Sequence, residues 1–277
     1  MRRILLLALL LAPGLAAAQP ALVPDALQGA WFQGECARPD ALLQLTHRAA
    51  ARVPREGAGR LLRFQALRQQ EGWLIGTGRG AEAPRLMLRA AGEALETAEP
   101  GAKAREDRLP GEAPLARWHR CEAVPPAVAL LHGEGVAAMA ALEHVEAACG
   151  GADTAGCLAA VVAQADVSGD GRLTRAELAR LARGAAWLVA VQEGVAGERL
   201  AGAVAAGALA GQLAAQLAVE GLDYDGDGRL SAEELAQDRA RFGQARGNAA
   251  GRPVHGEAAG PGLEALRGLL SGLSLLK

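Results

Sequence analysis

The chain has 277 residues and a net charge of −2 at pH 7, with its acidic excess in the second half. It shows no basic face, which argues against a nucleic-acid partner. Before Pro125, short segments are separated by Gly, Pro and charged residues, whereas the sequence after it is rich in alanine. We therefore expect an α+β protein with a β-rich, barrel-like domain over residues 19–125, a helical domain over 126–243, and a linker with a C-terminal helix over 244–277.

Residues 1–18 have the pattern of a signal peptide. Two arginines precede an apolar run over 4–11, and three alanines stand before Gln19. The apolar run is shorter than the roughly 20 residues that a membrane span needs. We expect cleavage before Gln19 and a periplasmic or secreted mature protein. An uncleaved N-terminal anchor is the alternative.

If the protein is exported as expected, its four cysteines can form disulfides, because oxidising compartments permit them. Four cysteines allow three pairings. We favour Cys36 with Cys121 and Cys149 with Cys157, since each pair then lies inside one expected domain. A zinc site is the competing interpretation, but the sequence has no Cys-x-x-Cys spacing or nearby histidine cluster to support it.

The β-rich region contains seven candidate strands with turn residues between them. Their even spacing predicts an antiparallel meander or a small barrel. In an up-and-down barrel the first and last strands are neighbours, so a Cys36–Cys121 bridge would join the closing seam. The candidate strands are 31–36, 41–46, 61–67, 73–78, 85–90, 94–98 and 115–121.

The tryptophans of this region are expected to fill its core. The chain has few aromatic residues, so Trp31, Trp73 and Trp118 are better explained as core residues than as a ligand platform. Gly29-Ala30-Trp31 resembles the Gly-x-Trp of lipocalin-like barrels, over three residues.

Two twelve-residue stretches, 166–177 and 223–234, share the pattern Asp-x-[Asp/Ser]-x-Asp-Gly followed by Glu at position 12. Calcium takes six to eight oxygen ligands, so a short loop must supply them from positions 1, 3, 5, 7, 9 and 12. The candidate ligands are Asp166, Ser168, Asp170, Thr174 and Glu177 with the carbonyl of Arg172, and Asp223, Asp225, Asp227, Ser231 and Glu234 with the carbonyl of Arg229.

The remaining loop positions fit the same pattern. Gly171 and Gly228 stand at position 6, where the chain turns sharply, and Leu173 and Leu230 stand at position 8. The stretch 154–243 resembles the EF-hand family, which implies two bound calcium ions. The alternative is two calcium-free acidic turns. Since the second loop has one more carboxylate, we expect it to bind calcium more tightly.

The helices around these loops can be placed from composition. A helix is expected over 127–149, and Asp153 or Thr154 can cap the next one. Between the loops, Gly194 and Gly197 separate an outgoing helix from an incoming helix over 198–222. Extended segments at Leu173 and Leu230 could lie side by side, but the sequence leaves open whether the loops pair.

Residues 201–219 carry no charge and could be a transmembrane helix. A span there would place the two loops on opposite sides of the membrane, so we expect an amphipathic helix and no stable membrane span. The leucines at 263–276 predict a second amphipathic helix. It could dock on the protein, or it could contact a membrane or a partner.

The sequence predicts a calcium-binding protein that is not an enzyme. No His-Glu-x-x-His, Gly-x-Ser-x-Gly or phosphate-binding glycine loop occurs, and the five histidines are scattered. The leading hypothesis is an exported protein whose helical domain is ordered by calcium and coupled to the β-rich module. The alternative is a β-domain that acts as a ligand-binding or inhibitor module, with the calcium loops as support. The sequence identifies no protein partner.

Overall fold

The computed structural model describes residues 22–80, 83–105 and 109–244. The chain divides into two compact units, with the boundary between Ala236 and Gln237. The expected signal peptide at 1–18 and the leucine-rich helix at 263–276 lie outside the described residues.

The first unit begins with antiparallel strands that follow one another in space as in sequence. Two sheets are formed, one from the first four strands and one from the next five. The α+β class and the meander order are therefore as predicted. The strands are β1 (Gly29–Glu35), β2 (Arg38–Leu45), β3 (Ala49–Pro54), β4 (Arg60–Arg63), β5 (Ala66–Gln70), β6 (Trp73–Thr77), β7 (Arg85–Ala91), β8 (Ala94–Ala98) and β9 (Leu115–Trp118).

The two sheets meet at β1 and β9, but they do not close into one continuous ladder within the described residues. Phe32 and His119 exchange two backbone hydrogen bonds of 2.9 and 3.0 Å as an isolated bridge. The Cys36–Cys121 disulfide, with 5.8 Å between its Cα atoms, lies beside this bridge. The predicted pairing is confirmed, and it joins the first and last strands as expected.

Two strand predictions need correction. The segment 61–67 was expected to be one strand, but the chain turns at Phe64 and Gln65, so that β4 and β5 lie in different sheets. Strand β3 was missed because its three alanines have low strand propensity. Its alanines are buried on both faces: Ala50 points into the core between the sheets, while Ala51 faces the helices.

The space between the two sheets is filled by large apolar side chains. Trp31 and Trp118 are buried there and direct their indole N–H groups to the carbonyl of Leu27 at 2.8 Å and the hydroxyl of Thr97 at 2.9 Å. A buried indole that keeps its hydrogen bond loses little on leaving water. Trp73 is buried in a separate cluster. The expected core role of the three tryptophans is confirmed.

Five α-helices, a small third sheet and two short 3-10 helices, Asp25–Leu27 and Phe242–Gln244, complete the described fold. Asp153 caps the second helix by accepting a 2.8 Å hydrogen bond from the backbone of Gly156, and the Cys149–Cys157 disulfide spans the turn between the first two helices. Both features were predicted. The elements are α1 (Pro126–Cys149), α2 (Thr154–Ala165), β10 (Arg172–Leu173), α3 (Arg175–Gln192), α4 (Gly197–Leu222), β11 (Leu230–Ser231) and α5 (Ala232–Ala240).

Helices α3 and α4 form a hairpin whose turn is joined to the β-sheet. Gly197 donates a 2.9 Å hydrogen bond to the carbonyl of Gly57, and Ala196 forms a bridge with Ala58. Trp187 and Leu200 pack with the outer face of β3 in one buried cluster. The helical region is thus fastened to the β-region at the end of the hairpin opposite the two loops.

Helix α4 is, among the described helices, the one long and apolar enough to cross a membrane by length and composition. Only 17% of its most apolar 18-residue window is buried. An apolar helix that is mostly exposed calls for an explanation beyond that of an ordinary core helix.

His132 gives the fold a testable pH dependence. Its ring nitrogen Nδ1 accepts a 3.1 Å hydrogen bond from the indole of Trp187, and burial lowers its pKa from 6.5 to about 4. The folded protein therefore binds fewer protons than the unfolded chain between these values, so the free energy of unfolding falls as the pH falls from 6.5 towards 4.

Between pH 7 and pH 4, the free energy of unfolding of His132→Asn is expected to fall by about 1–2 kcal/mol less than that of the wild type. Urea unfolding at several pH values measures this difference. The asparagine oxygen can replace Nδ1 as acceptor but does not titrate. His144→Asn, at an exposed position on the same helix, is the matched control and should keep the wild-type profile. Equal profiles for His132→Asn and the wild type would contradict this assignment.

Candidate metal centre

The first loop is organised around Glu177, at position 12. One carboxylate oxygen accepts hydrogen bonds from the backbone of Val167 at 2.8 Å and Ser168 at 2.9 Å, and the other accepts from the backbone and hydroxyl of Thr174, both at 2.8 Å. Burial acts to raise the pKa of Glu177, but these four donors outweigh it and lower the pKa to about 2. The carboxylate is therefore held ionised and in one orientation.

Asp166, at position 1, fixes the other side of the loop. Its oxygens accept hydrogen bonds of 2.7 Å each from the backbone of Gly169 and Gly171, and these bonds lower its pKa, with the Gly171 bond the strongest cause. Gly171 has φ of 80°, a left-handed conformation that costs a residue with a Cβ more than it costs glycine. The loop thereby turns its backbone N–H groups inward onto Asp166.

The second loop repeats this arrangement with the same contacts. Glu234 accepts from the backbone of Tyr224 at 2.9 Å and from the backbone and hydroxyl of Ser231 at 2.8 Å. Asp223 accepts bonds of 2.7 Å from Gly226 and Gly228. Burial acts to raise the pKa of Glu234, but the hydrogen bonds outweigh it and the pKa is lowered.

The two loops form a pair, which the sequence had left open. Leu173 of β10 lies opposite Leu230 of β11 in a two-residue antiparallel ladder. Both leucines are fully buried over a small core with Val162, Ala165 and Val219. Since each loop contributes a strand and a core leucine, the loops form one structural unit.

Each loop also sends an arginine into the other. Arg172, at position 7 of the first loop, makes ion pairs with Asp225, at 3.2 Å, and with Asp227. Arg229, at position 7 of the second loop, pairs with Asp170. Sequence reasoning assigned only the carbonyls of these arginines, so the contact of their side chains with carboxylates of the other loop is new.

The donor set fits a hard divalent cation. Carboxylate oxygens of Asp223, Asp225 and Asp227 lie within 4.8 Å of one another. Two oxygens that bind one calcium ion at about 2.4 Å can be at most about 4.8 Å apart, so one ion could contact all three. In the first loop, Asp166 and Glu177 are held by the same hydrogen bonds as their counterparts. The structure thus gathers the three aspartates of the second loop, whereas it records no such cluster of three carboxylates among the described residues of the first loop.

Two further roles escaped sequence reasoning. Thr174 caps α3 in a reciprocal capping box with Glu177, although the Thr-x-x-Glu spacing was visible in the sequence. His119 lies with its Nε2 atom 3.6 Å from the sulfur of Cys36, beside the Cys36–Cys121 disulfide. The sequence indicated this contact only by the position of His119, two residues before Cys121. The sulfurs of both cysteines are committed to the disulfide, which replaces the zinc interpretation.

Comparisons with known proteins locate the resemblance at the two loops. No curated protein and no solved structure was found to match the chain. The model of the family described as EF hand matches residues 159–182 and 222–237. These segments contain both loops, and the match confirms the predicted resemblance there and implies that this part of the chain binds calcium.

Proposed function

We propose that the protein is an exported calcium-binding protein that takes up two ions, one in each loop, and uses them to order its helical region. The observation that carries this proposal is the pairing of two loops with the same donor arrangement over one buried core. A single acidic turn is common without a metal, but two such turns joined by a ladder and a core are typical of a binding unit.

The proposed role of calcium is structural. Calcium outside the cytosol is abundant, so even weak sites there stay filled. A sensor would expose a methionine-rich groove on binding, but the chain has three methionines and none lies between the two loops. The hairpin of α3 and α4 has the two loops at one end and the β-sheet at the other. Ions that order the loops would therefore also restrain the end of the hairpin that is fastened to the sheet.

The β-region offers little interior space for a ligand. The partly open cavity next to Leu43, Leu86 and Trp118 has a volume of about 20 Å³, room for roughly one water molecule. The larger space of the β-region is an open surface cleft of about 990 Å³ beside Trp31, Trp118 and Arg120. A ligand-binding or inhibitor role for this region, the alternative function, would therefore use its outer surface. We propose a scaffold role and no catalytic activity.

Calorimetric titration of the oxidised full-length mature protein, from chelator-stripped to millimolar calcium, tests the binding proposal. Two binding events are expected, with a rise in the thermal midpoint and no calcium-dependent increase in the binding of an apolar-surface dye. A stoichiometry of one ion would contradict the two-ion proposal, and the absence of binding would contradict calcium binding. Export is tested separately by N-terminal sequencing of the mature protein, which should start near Gln19.

The cross-loop arginines should weaken calcium binding, because each guanidinium occupies carboxylates that the ion would use. We expect Arg172→Gln to tighten binding at the second loop by about threefold to tenfold, a small effect because the pair is partly exposed to solvent. Calorimetry at two salt concentrations measures it, and the gain should shrink at high salt.

Arg175→Gln is the matched control for this charge change. Arg175 is exposed, lies three residues further along the chain and makes no ion pair that the structure records within the described residues. If both variants tightened calcium binding equally, the change in net charge, and not the contact with Asp225 and Asp227, would explain the higher affinity.

A further inference from the structure

One face of α4 is apolar, exposed and free of charge over most of its length. Leu209, Leu213 and Leu217 are 75%, 67% and 67% exposed. They recur every four residues and so line one face of the helix. Scattered exposed leucines are ordinary, but a continuous row on an uncharged helix marks a contact surface.

The same face changes character along the helix. Its first half presents the exposed small residues Gly202 and Ala206, whereas its second half presents the three leucines. Small residues permit the close approach of another helix, and leucines fill the space that small residues leave. A helix with small residues in its first half and leucines in its second half is complementary to a second copy that runs in the opposite direction.

The ends of the face carry opposite charges. Exposed Arg199 lies at the start of α4, and exposed Glu220, held by a 2.8 Å hydrogen bond from Gln216, lies near its end. With an axis of twofold symmetry between residues 209 and 210, antiparallel pairing sets Leu213 opposite Ala206 and Leu217 opposite Gly202. In the same register Arg199 faces Glu220, so shape and charge select one alignment.

We infer that this face of α4 binds a second copy of the chain, helix against helix in antiparallel order. The contact runs for about 30 Å, since the 21 residue steps from Arg199 to Glu220 rise about 1.5 Å each. A single pair of helices of this length lies at the small end of stable interfaces, so the dimer forms in a concentration-dependent manner. The inference does not depend on whether the loops bind calcium.

The paired loops argue against a membrane span by α4 alone. If α4 spanned a membrane and α3 did not, the loops would lie on opposite sides, whereas Leu173 and Leu230 are direct neighbours in the ladder. A membrane contact remains one outcome of the experiment, and it is measured with vesicles of mixed neutral and anionic phospholipid.

Sedimentation equilibrium of the full-length protein over about 1–200 µM tests the inference. The wild type is expected to dimerise, and Leu213→Glu to weaken the dimer at least tenfold by placing a charge inside the contact, opposite Ala206. Ala214→Glu adds the same charge at the neighbouring exposed position, on another side of the helix, and should leave the dimer unchanged. Circular dichroism confirms that each variant is folded.

A charge exchange tests the register independently. Arg199→Glu alone and Glu220→Arg alone each set like charges opposite each other and should weaken the dimer severalfold, while the double variant should restore it. A wild-type monomer at 200 µM, a dimer insensitive to Leu213→Glu, or a monomer that sediments with vesicles would each overturn the inference. Failure of the double variant to recover would overturn the antiparallel register.

Discussion

Replacing Glu234 by glutamine is expected to weaken calcium binding at the second loop about a hundredfold or more. Glu234 is the position-12 carboxylate, predicted to bind the ion with both oxygens, and the amide can offer one uncharged oxygen. The change in the hydrogen bonds of residue 234 weakens calcium binding further. Both carboxylate oxygens accept from backbone or hydroxyl donors, and the amide NH₂ group would face one of these donors without an acceptor.

Calorimetry should show that the tighter of two binding events disappears, because the second loop is the one we expect to bind more tightly. A hundredfold change corresponds to about 2.7 kcal/mol of binding free energy. Glu177→Gln should remove the weaker event in the same way. The ladder between Leu173 and Leu230 joins the loops, so each variant should also lower the affinity of the remaining site.

Glu233→Gln is the matched control, since Glu233 is the exposed neighbour of Glu234 and the substitution makes the same change in net charge. It should change the affinity by no more than about twofold. If Glu234→Gln and Glu233→Gln behaved alike, Glu234 would not be a ligand. If Glu234→Gln removed the weaker event, the predicted ranking of the loops would be wrong.

The second large effect is expected at the crossing of α1 and α3. A Cβ at Gly135 would lie 2.1 Å from the indole ring of Trp187, far inside contact distance. The ring cannot move aside easily, because it is 1% exposed and donates its hydrogen bond to His132. Gly184 of α3 has a similar role, with 2.6 Å from its Cβ position to the Cβ of Ala138. Glycines on both helices therefore set how closely the helices approach.

We expect Gly135→Ala to lower the free energy of unfolding by about 2–3 kcal/mol through overpacking. Gly133→Ala, two residues earlier in α1, has nothing within 4 Å of its Cβ position and should instead stabilise the protein by about 0.5–1 kcal/mol, since alanine favours the helix. Urea unfolding of the oxidised protein at constant calcium measures both variants. Changes of the same sign and size would show that helix propensity, and not the contact with Trp187, governs this position.

Local patterns were enough to predict much of this protein. The twelve-residue spacing identified both loops, because each loop draws its candidate ligands from one short segment. The position of Gly194 and the cap at Asp153 placed helix ends for the same reason, since caps and turns depend on neighbouring residues. Both disulfides were also predicted, although this rested on the expected domains and on the order of the strands.

Features that depend on distant residues were decided by the tertiary structure. Strand β3 is rich in alanine because the helices pack against its outer face, and no local signal records that neighbour. The cross-loop contacts of Arg172 and Arg229 required the loops to pair, which depends on the α3–α4 hairpin. Gly135 appeared as an ordinary helix glycine until Trp187 was placed against it. The sequence alone thus determined the candidate ligands and the helix ends, since both are set by residues a few positions apart, whereas pairing, helix approach and the exposure of α4 were decided by contacts between residues far apart in the chain.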